Sequence, residues 1–238
     1  MTIREVLRCA QPLLFEDGFE GYEYSYGGTF FYARFRNRFY AITAKHCLNN
    51  RDLKTIRLVR PDQTKQRAFL SHEIVTVIEE PDGIVCDWAD LAIITLNAAK
   101  LSETDKMASW FLDLDRLLNY PPTLASKDGL GLKGCPKHAG GIDYESGIIK
   151  LGFVAWSGKY IGPSHERNLH KLKFDDLKGV PSLDGFSGSP VFKLVQNAFE
   201  KSHWFAGVLL RGTTSSGIAH FVDYKIVYEA LNIISHRP

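Results

Sequence analysis

The sequence lacks an excess of either charge, because 29 lysines and arginines face 27 aspartates and glutamates among its 238 residues. This balance gives no electrostatic reason to expect nucleic acid or an anionic membrane as the main partner. The sequence also lacks any apolar run near the roughly 18–20 residues of a membrane-spanning helix. Charged residues interrupt the apolar ones near its start, where a secretory signal needs an unbroken apolar stretch of about 7–15 residues. We therefore expect a cytoplasmic protein that does not use a membrane.

Cysteine is scarce, and its spacing fits no known motif. The four cysteines are Cys9, Cys47, Cys86 and Cys135, and their separations match neither a zinc site nor a redox pair. Cys135 and His138 could supply two metal ligands, but no second pair follows at a suitable spacing. A phosphate-cradling glycine loop is missing as well. The sequence thus predicts four free thiols, no metal and no cofactor.

Short strands are predicted along most of the chain. Residues 28–35 and 38–43 are rich in aromatic and β-branched side chains and flank Arg36-Asn37, a pattern typical of a hairpin. Further strands are predicted at 55–59, 67–70, 73–79, 91–96, 129–134, 147–156, 171–174, 191–195, 204–211 and 220–222. Many short strands without βαβ alternation favour an all-β protein built from closed antiparallel barrels.

Two helices interrupt this pattern. From Ser102 to Asn119, apolar residues recur at three- and four-residue steps, Ser102 with Asp105 forms a capping-box pattern, and Pro121 follows. We interpret this segment as an amphipathic linker helix packed between two barrels, with a partner-binding helix as the alternative. Residues 224–234 also place their apolar side chains on one face and predict a C-terminal helix.

Three fragments carry the residue types needed for nucleophilic acyl transfer. They are Thr43-Ala44-Lys45-His46-Cys47, Asp90-Leu91-Ala92-Ile93-Ile94 and Gly185-Phe186-Ser187-Gly188-Ser189-Pro190. A serine hydroxyl attacks a carbonyl at neutral pH only when a histidine takes its proton, and a third group must hold that imidazole in the right tautomer. His46, Asp90 and Ser187 are therefore candidates for base, orienting acid and nucleophile. Asp87 is a rival carboxylate. We prefer Asp90 because the Leu-Ala-Ile-Ile sequence after it matches the aspartate motif of the family described next.

These fragments resemble the chymotrypsin-like serine peptidases, whose three motifs are T-A-x-H-C, D-[IL]-A-[LI]-[LI] and G-x-S-G-[GS]-P in this order. The resemblance extends from about Gly28 to the end of the chain. It implies two six-stranded antiparallel barrels of the chymotrypsin type with the active site between them. Residues 1–100 would form the first barrel with His46 and Asp90, residues 101–122 the linker helix, and residues 123–238 the second barrel with Ser187 and a C-terminal helix.

The resemblance also implies an oxyanion hole and a substrate pocket. The backbone N–H groups of Gly185 and Ser187 would stabilise the developing oxyanion. The residues expected to line the pocket are Pro181, Ser182, Leu210, Arg211, Gly212, Ala219 and His220. None of them is a carboxylate, so a preference for Lys or Arg before the cut is not expected. We expect a small or medium apolar residue there, with an acidic or amide residue read by His220 or Arg211 as the alternative.

One position departs from many secreted members of this family. They carry an aspartate before the nucleophile, which pairs with a newly cleaved N-terminus, whereas this sequence has Phe186. Activation by such an insertion is therefore not expected. The site would be ordered permanently, or by a partner acting on the predicted loop region Ser157–Asp184.

The sequence as a whole predicts a serine endopeptidase that cleaves a protein or peptide substrate, with an activating partner protein possible. A catalytically silent module that keeps the fold and binds a peptide or partner is the main alternative. An α/β-hydrolase is disfavoured, since its acid and base would have to follow Ser187 in the chain.

Overall fold

A computed structural model describes residues 8–19, 22–48, 50–61, 69–78, 89–118, 123–143, 148–150, 152–196 and 201–236. The described chain is mostly β and contains one closed antiparallel barrel and one larger sheet. This agrees with the predicted all-β class. No helix in these ranges is long and apolar enough to cross a membrane.

The first half of the chain forms an eight-stranded sheet in the form of a half-barrel. Its strands are β1 (Ala10–Phe19), β2 (Tyr22–Phe35), β3 (Arg38–Thr43), β4 (Ile56–Val59), β5 (Phe69–Leu70), β6 (His72–Val77), β7 (Ala92–Leu96) and β8 (Leu112–Asp113). Seven follow the order β5-β4-β1-β2-β3-β7-β6, and β8 pairs with β2 in parallel. The predicted hairpin is confirmed, with Arg36 and Asn37 at φ 49° and 57°. Two consecutive positive φ values suit a tight turn between twisted strands.

The second half forms the closed barrel. The strands of this half are β9 (Gly129–Gly134), β10 (Gly141–Asp143), β11 (Ile148–Lys150), β12 (Val154–Pro163), β13 (Leu169–Phe174), β14 (Pro190–Gln196), β15 (Lys201–Thr213) and β16 (Ile218–Asp223). The barrel closes in the order β12-β13-β16-β15-β14-β9, and β10 and β11 form a separate two-stranded sheet. Its interior is filled by apolar side chains that alternate along the strands, such as Leu130 and Leu132 of β9.

The predicted linker helix is wrong as a continuous helix. The segment contains two short helices, α1 (Glu103–Lys106) and α2 (Leu114–Leu118), with β8 between them. The Ser102–Asp105 capping box does form. The helix breaks because Trp110 and Phe111 pack their rings on Tyr32 of β2, with centroids 4.9 and 5.5 Å away, and the next residues add to the sheet as β8.

The predicted loop region Ser157–Asp184 is also largely wrong, because β12 continues to Pro163 and β13 occupies Leu169–Phe174. The glycine and proline that suggested a loop mark a strand irregularity: the β12–β13 register shifts at Gly162, whose φ is 116°. Residues 164–168 and 175–189 remain without helix or strand. The second of these stretches contains the candidate nucleophile, Ser187.

The C-terminal helix is confirmed as α3 (Tyr224–Ser235). The Asp223 carboxylate caps its first turn by accepting a hydrogen bond from the Lys225 N–H at 2.8 Å. Its buried face contains Ile226, Val227, Leu231 and Ile234, which join the core of the first sheet.

The described cysteines agree with the prediction of free thiols. Cys9, Cys47 and Cys135 are buried and make no disulfide, and Cys86 lies outside the described residues. A buried thiol of this kind behaves as a small apolar side chain.

Candidate active site

Strand pairing brings His46 and Asp90 together. His46 lies in a 3-10 turn, Lys45–Leu48, just after β3, and Asp90 lies just before β7. Since β3 and β7 are antiparallel neighbours with Thr43 opposite Ala92, the end of one strand meets the start of the other. A residue following β3 and a residue preceding β7 must therefore be close in space.

Two hydrogen bonds join these residues. The Asp90 Oδ2 atom lies 2.5 Å from His46 Nδ1, and Oδ1 accepts a hydrogen bond from the His46 backbone N–H at 2.8 Å. The Lys45 N–H donates to the Asp90 carbonyl at 3.2 Å. The carboxylate thus fixes the proton of the imidazole on Nδ1 and leaves Nε2 available for another partner.

The charge of the pair follows from this contact. The hydrogen bond to Asp90 raises the pKa of His46 from 6.5 to about 10, with Cys47 contributing and burial opposing the shift. The contact with Asp90 therefore favours the protonated imidazole. A protonated imidazole cannot accept a proton from serine, so loss of this proton is required before His46 acts as a base.

Ser187 follows a tight turn. The Phe186 N–H donates to the Leu183 carbonyl at 3.1 Å, which closes a four-residue turn over residues 183–186. Its third residue, Gly185, has a φ of 90°, as a type II turn requires. A Cβ at Gly185 would also lie 2.7 Å from the Cys135 carbonyl oxygen, so only glycine fits without strain.

Each carbonyl of residues 184–187 accepts a hydrogen bond. The Asp184 carbonyl accepts from the Lys137 N–H at 2.9 Å, and the Phe186 carbonyl accepts from the Ser189 N–H at 2.9 Å. The other two carbonyls both bind Thr29 of β2. Its side-chain hydroxyl donates to Gly185 at 2.6 Å, and its backbone N–H donates to Ser187 at 3.0 Å.

Unlike these carbonyls, the N–H groups of Gly185 and Ser187 make no hydrogen bond to any acceptor within the described ranges. In a trans peptide the carbonyl and N–H point in opposite directions. Fixing the Asp184 and Phe186 carbonyls therefore directs the N–H groups of Gly185 and Ser187 to the other side of the turn. Two such donors, free of internal acceptors, can bind an anionic oxygen.

The Ser187 hydroxyl donates to the Leu210 carbonyl at 2.6 Å. In the described structure it makes no hydrogen bond to His46, although both residues line the same cleft. The pairing of β15 with β14 ends at Val208, two residues before Leu210. Among the described strands, residues 211–213 pair only with β16. One edge of this stretch is therefore open beside Ser187.

Phe186 occupies the position where many relatives of the resembled family have an aspartate. It is buried and stacks on Trp156, with ring centroids 4.4 Å apart and planes inclined by 16°. Gly134 makes room for the ring, because a Cβ there would lie 2.7 Å from Phe186 Cδ1. Apolar packing thus anchors the turn at this position, with no ion pair.

These groups meet at a cleft of about 460 Å³. Its lining residues are Tyr26, Gly27, His46, Cys47, Arg51, Lys137, Leu183, Asp184, Gly185, Ser187, Leu210, Arg211 and Gly212. The sequence analysis missed Leu183, Asp184, Tyr26, Arg51 and Lys137, because their positions depend on neighbouring strands and carry no local motif.

The predicted pocket residues are only partly brought to this cleft. Leu210, Arg211 and Gly212 line it, whereas Pro181, Ser182, Ala219 and His220 are not among its lining residues. Leu183 lines the cleft where Pro181 and Ser182 were expected to do so. Ala219 lies behind Gly212, since a Cβ at Gly212 would be 2.8 Å from Ala219 Cβ and 2.9 Å from Leu183 Cδ1.

Cys47 faces a glycine. A Cβ at Gly28 would lie 2.6 Å from the Cys47 Sγ atom. Cys47 is a free thiol, and its Sγ–H donates to the Ser187 carbonyl at 3.4 Å.

No group of three or more potential metal ligands occurs among the described residues. Comparisons of the sequence with protein-family models and with curated proteins gave no match.

The His46–Asp90 contact predicts an alkaline titration. In a Ser187→Ala variant, NMR signals of the His46 ring should titrate with a midpoint near the pKa of about 10. In a second variant that adds Asp90→Asn, the midpoint should fall toward the ordinary value of about 6.5, because the carboxylate no longer stabilises the imidazolium. Equal midpoints near 6.5 in both proteins would show that Asp90 does not hold the imidazolium.

Proposed function

We propose that this protein is a serine endopeptidase of the chymotrypsin-like class that uses His46, Asp90 and Ser187. The observation that carries the proposal is the meeting, in one cleft, of the His46–Asp90 pair, the Ser187 hydroxyl and two N–H donors without internal acceptors. Each is a required part of acyl transfer, and the three come from distant parts of the chain. The eight-stranded sheet would then be the counterpart of the first barrel of that class.

The proposed reaction begins with proton transfer. Neutral His46 takes the Ser187 proton on Nε2 while Ser187 Oγ forms a bond to the carbonyl carbon of the scissile peptide. The carbonyl oxygen becomes an oxyanion between the N–H groups of Gly185 and Ser187. Donors of this kind contribute about 3 kcal/mol each to transition-state stabilisation.

The second half of the reaction reverses these transfers. His46 returns the proton to the leaving nitrogen, the C–N bond breaks, and an acyl-enzyme ester on Ser187 remains. Water then attacks the ester, and His46 takes the proton of this water. That proton finally returns to Ser187 Oγ, which releases the acid product and the free enzyme.

The Ser187–Leu210 hydrogen bond would be the resting state of this enzyme. Before attack, rotation about the Cα–Cβ bond of Ser187 must carry Oγ from the Leu210 carbonyl to His46. A substrate that pairs with the open edge of Leu210–Thr213 as an added strand can donate its own N–H to Leu210. Substrate binding would then release the nucleophile.

The silent binding module remains a second candidate. The observation that favours it is that Ser187 Oγ is bonded to Leu210 and makes no hydrogen bond to His46. Such a module would still bind an extended peptide along the same open strand edge.

The two candidates differ in covalent reactivity. As a peptidase, the purified protein should be labelled at Ser187 by a fluorophosphonate probe and should cleave a peptide library. Ser187→Ala and His46→Ala should each lower cleavage by several orders of magnitude, because the triad acts as a unit. Mass spectrometry locates the label, and thermal unfolding checks that the variants stay folded.

Ser235→Ala is the matched control, since this serine lies at the end of α3, outside the cleft lining, and should not change labelling. Absence of both labelling and cleavage at pH 7 to 10, with peptide binding retained, would favour the silent module.

The pocket geometry supports a preference for a small apolar residue before the cut. Leu183 is buried against Gly212 at the cleft, where its side chain limits depth. Leu183→Ala should therefore shift the peptide-library profile toward larger apolar residues, raising kcat/KM for Leu or Phe relative to Ala by about 10-fold or more. Leu177→Ala, which alters a residue outside the cleft lining, is the control. An unchanged profile, or a strict requirement for Lys or Arg in the native enzyme, would show that Leu183 does not set this preference.

A further inference from the structure

Thr29 connects the two halves of the candidate site. It lies in β2 of the first sheet, and it is fully buried. Strand β2 pairs with β3, which leads into His46. The Thr43 hydroxyl at the end of β3 donates to the Thr29 carbonyl at 2.6 Å. One residue thus contacts both the strand before the base and the turn before the nucleophile.

The hydroxyl of Thr29 uses both its donor and its acceptor. It donates to the Gly185 carbonyl at 2.6 Å and accepts from the Cys135 N–H at 2.9 Å. Cys135 directly follows β9 of the barrel. The hydroxyl therefore ties the Gly185–Phe186 peptide to a strand end on the barrel side, while the Thr29 backbone holds it to the first sheet.

The packing leaves this turn little room to move away from Thr29. A Cβ at Gly188, whose φ is 88°, would lie 2.0 Å from the Thr29 carbonyl oxygen and 2.4 Å from Thr43 Oγ1. The turn therefore approaches β2 as closely as a backbone without a side chain allows.

We infer that Thr29 is a positioning residue for the oxyanion-binding N–H groups. Its hydroxyl fixes the carbonyl of the Gly185–Phe186 peptide, and its N–H fixes the carbonyl of the Ser187–Gly188 peptide. These two peptides flank the Phe186–Ser187 peptide, which carries the Ser187 N–H, and the first of them also adjoins the peptide that carries the Gly185 N–H. Without the hydroxyl, the Gly185–Phe186 peptide that links the two donors can rotate, and the N–H groups of Gly185 and Ser187 lose their common direction. This role rests on the proposed peptidase function.

The test compares Thr29→Val with Thr29→Ser. Valine keeps the shape of threonine but removes the hydroxyl, whereas serine keeps the hydroxyl. Loss of a whole oxyanion donor costs about 10²–10³ in kcat, and misdirected donors should cost less, so we expect kcat of Thr29→Val to fall about 10- to 100-fold. KM should change little, because the strand edge that binds substrate is intact.

A transition-state analogue gives the second readout. A peptide boronic acid bonds to Ser187 and places an anionic oxygen where the substrate oxyanion forms. Its Kd should rise in Thr29→Val by the same factor by which kcat falls, and Thr29→Ser should restore both. A purely structural role would instead lower the folded fraction and leave kcat per folded molecule unchanged.

Two controls separate the possible failures. Val227→Ala alters a buried residue of α3, so it reports the effect of lost stability alone. If native protein reacts with no fluorophosphonate or boronic acid, the peptidase function and this role are both rejected. If native protein reacts and folded Thr29→Val matches it in kcat and boronate affinity, the role of Thr29 alone is rejected.

Discussion

The backbone turn of residues 184–187 must satisfy its carbonyls from outside while it leaves two N–H groups without internal acceptors. A buried carbonyl without a donor costs free energy, so donors have to come from neighbouring elements. Lys137, Thr29 and Ser189 supply them. Because each donor fixes one peptide plane, the same hydrogen bonds that stabilise the turn also direct the N–H groups of Gly185 and Ser187 to its other side.

This constraint explains why the site needs both halves of the chain. Thr29 comes from the first sheet, Lys137 follows the first strand of the barrel, and Phe186 is held by stacking on Trp156 inside the barrel. The resembled family often orders the equivalent turn through an ion pair made by a cleaved N-terminus. Here aromatic packing and hydrogen bonds order the turn without an ion pair at Phe186.

The turn is formed, but the Ser187 hydroxyl makes no hydrogen bond to His46 in the described structure. Ser187 donates to the Leu210 carbonyl, and the hydrogen bond to Asp90 raises the pKa of His46. Both features would restrain the proposed peptidase, since attack would need a neutral imidazole and a released hydroxyl. In this proposal, a peptide strand along residues 210–213 would compete for the Leu210 carbonyl and remove one of these restraints.

Local patterns in the sequence predicted some of this and missed the rest. The β2–β3 hairpin and α3 follow from side-chain periodicity and turn residues that lie close together in the chain. His46, Asp90 and Ser187 are identifiable because each belongs to a short motif. Their proximity in one cleft depends on strand pairing.

Thr29 and Leu183 are not identifiable from local patterns, because their roles arise from contacts with residues far away in sequence. The prediction of a continuous linker helix was wrong for the same kind of reason. Trp110 packs on Tyr32, a residue far away in sequence, and the helix does not continue through this contact. Tertiary packing there overrides a helical pattern that is otherwise consistent.

A crystal structure of the protein with a peptide boronic acid tests the central claim most directly. The account predicts a covalent bond between Ser187 Oγ and boron, with one boron oxygen accepting hydrogen bonds from the N–H groups of Gly185 and Ser187. The Leu210 carbonyl should accept an N–H from the peptide in place of the Ser187 hydroxyl. A peptide bound without this covalent bond, with Ser187 still donating to Leu210, would contradict the account and identify a binding module.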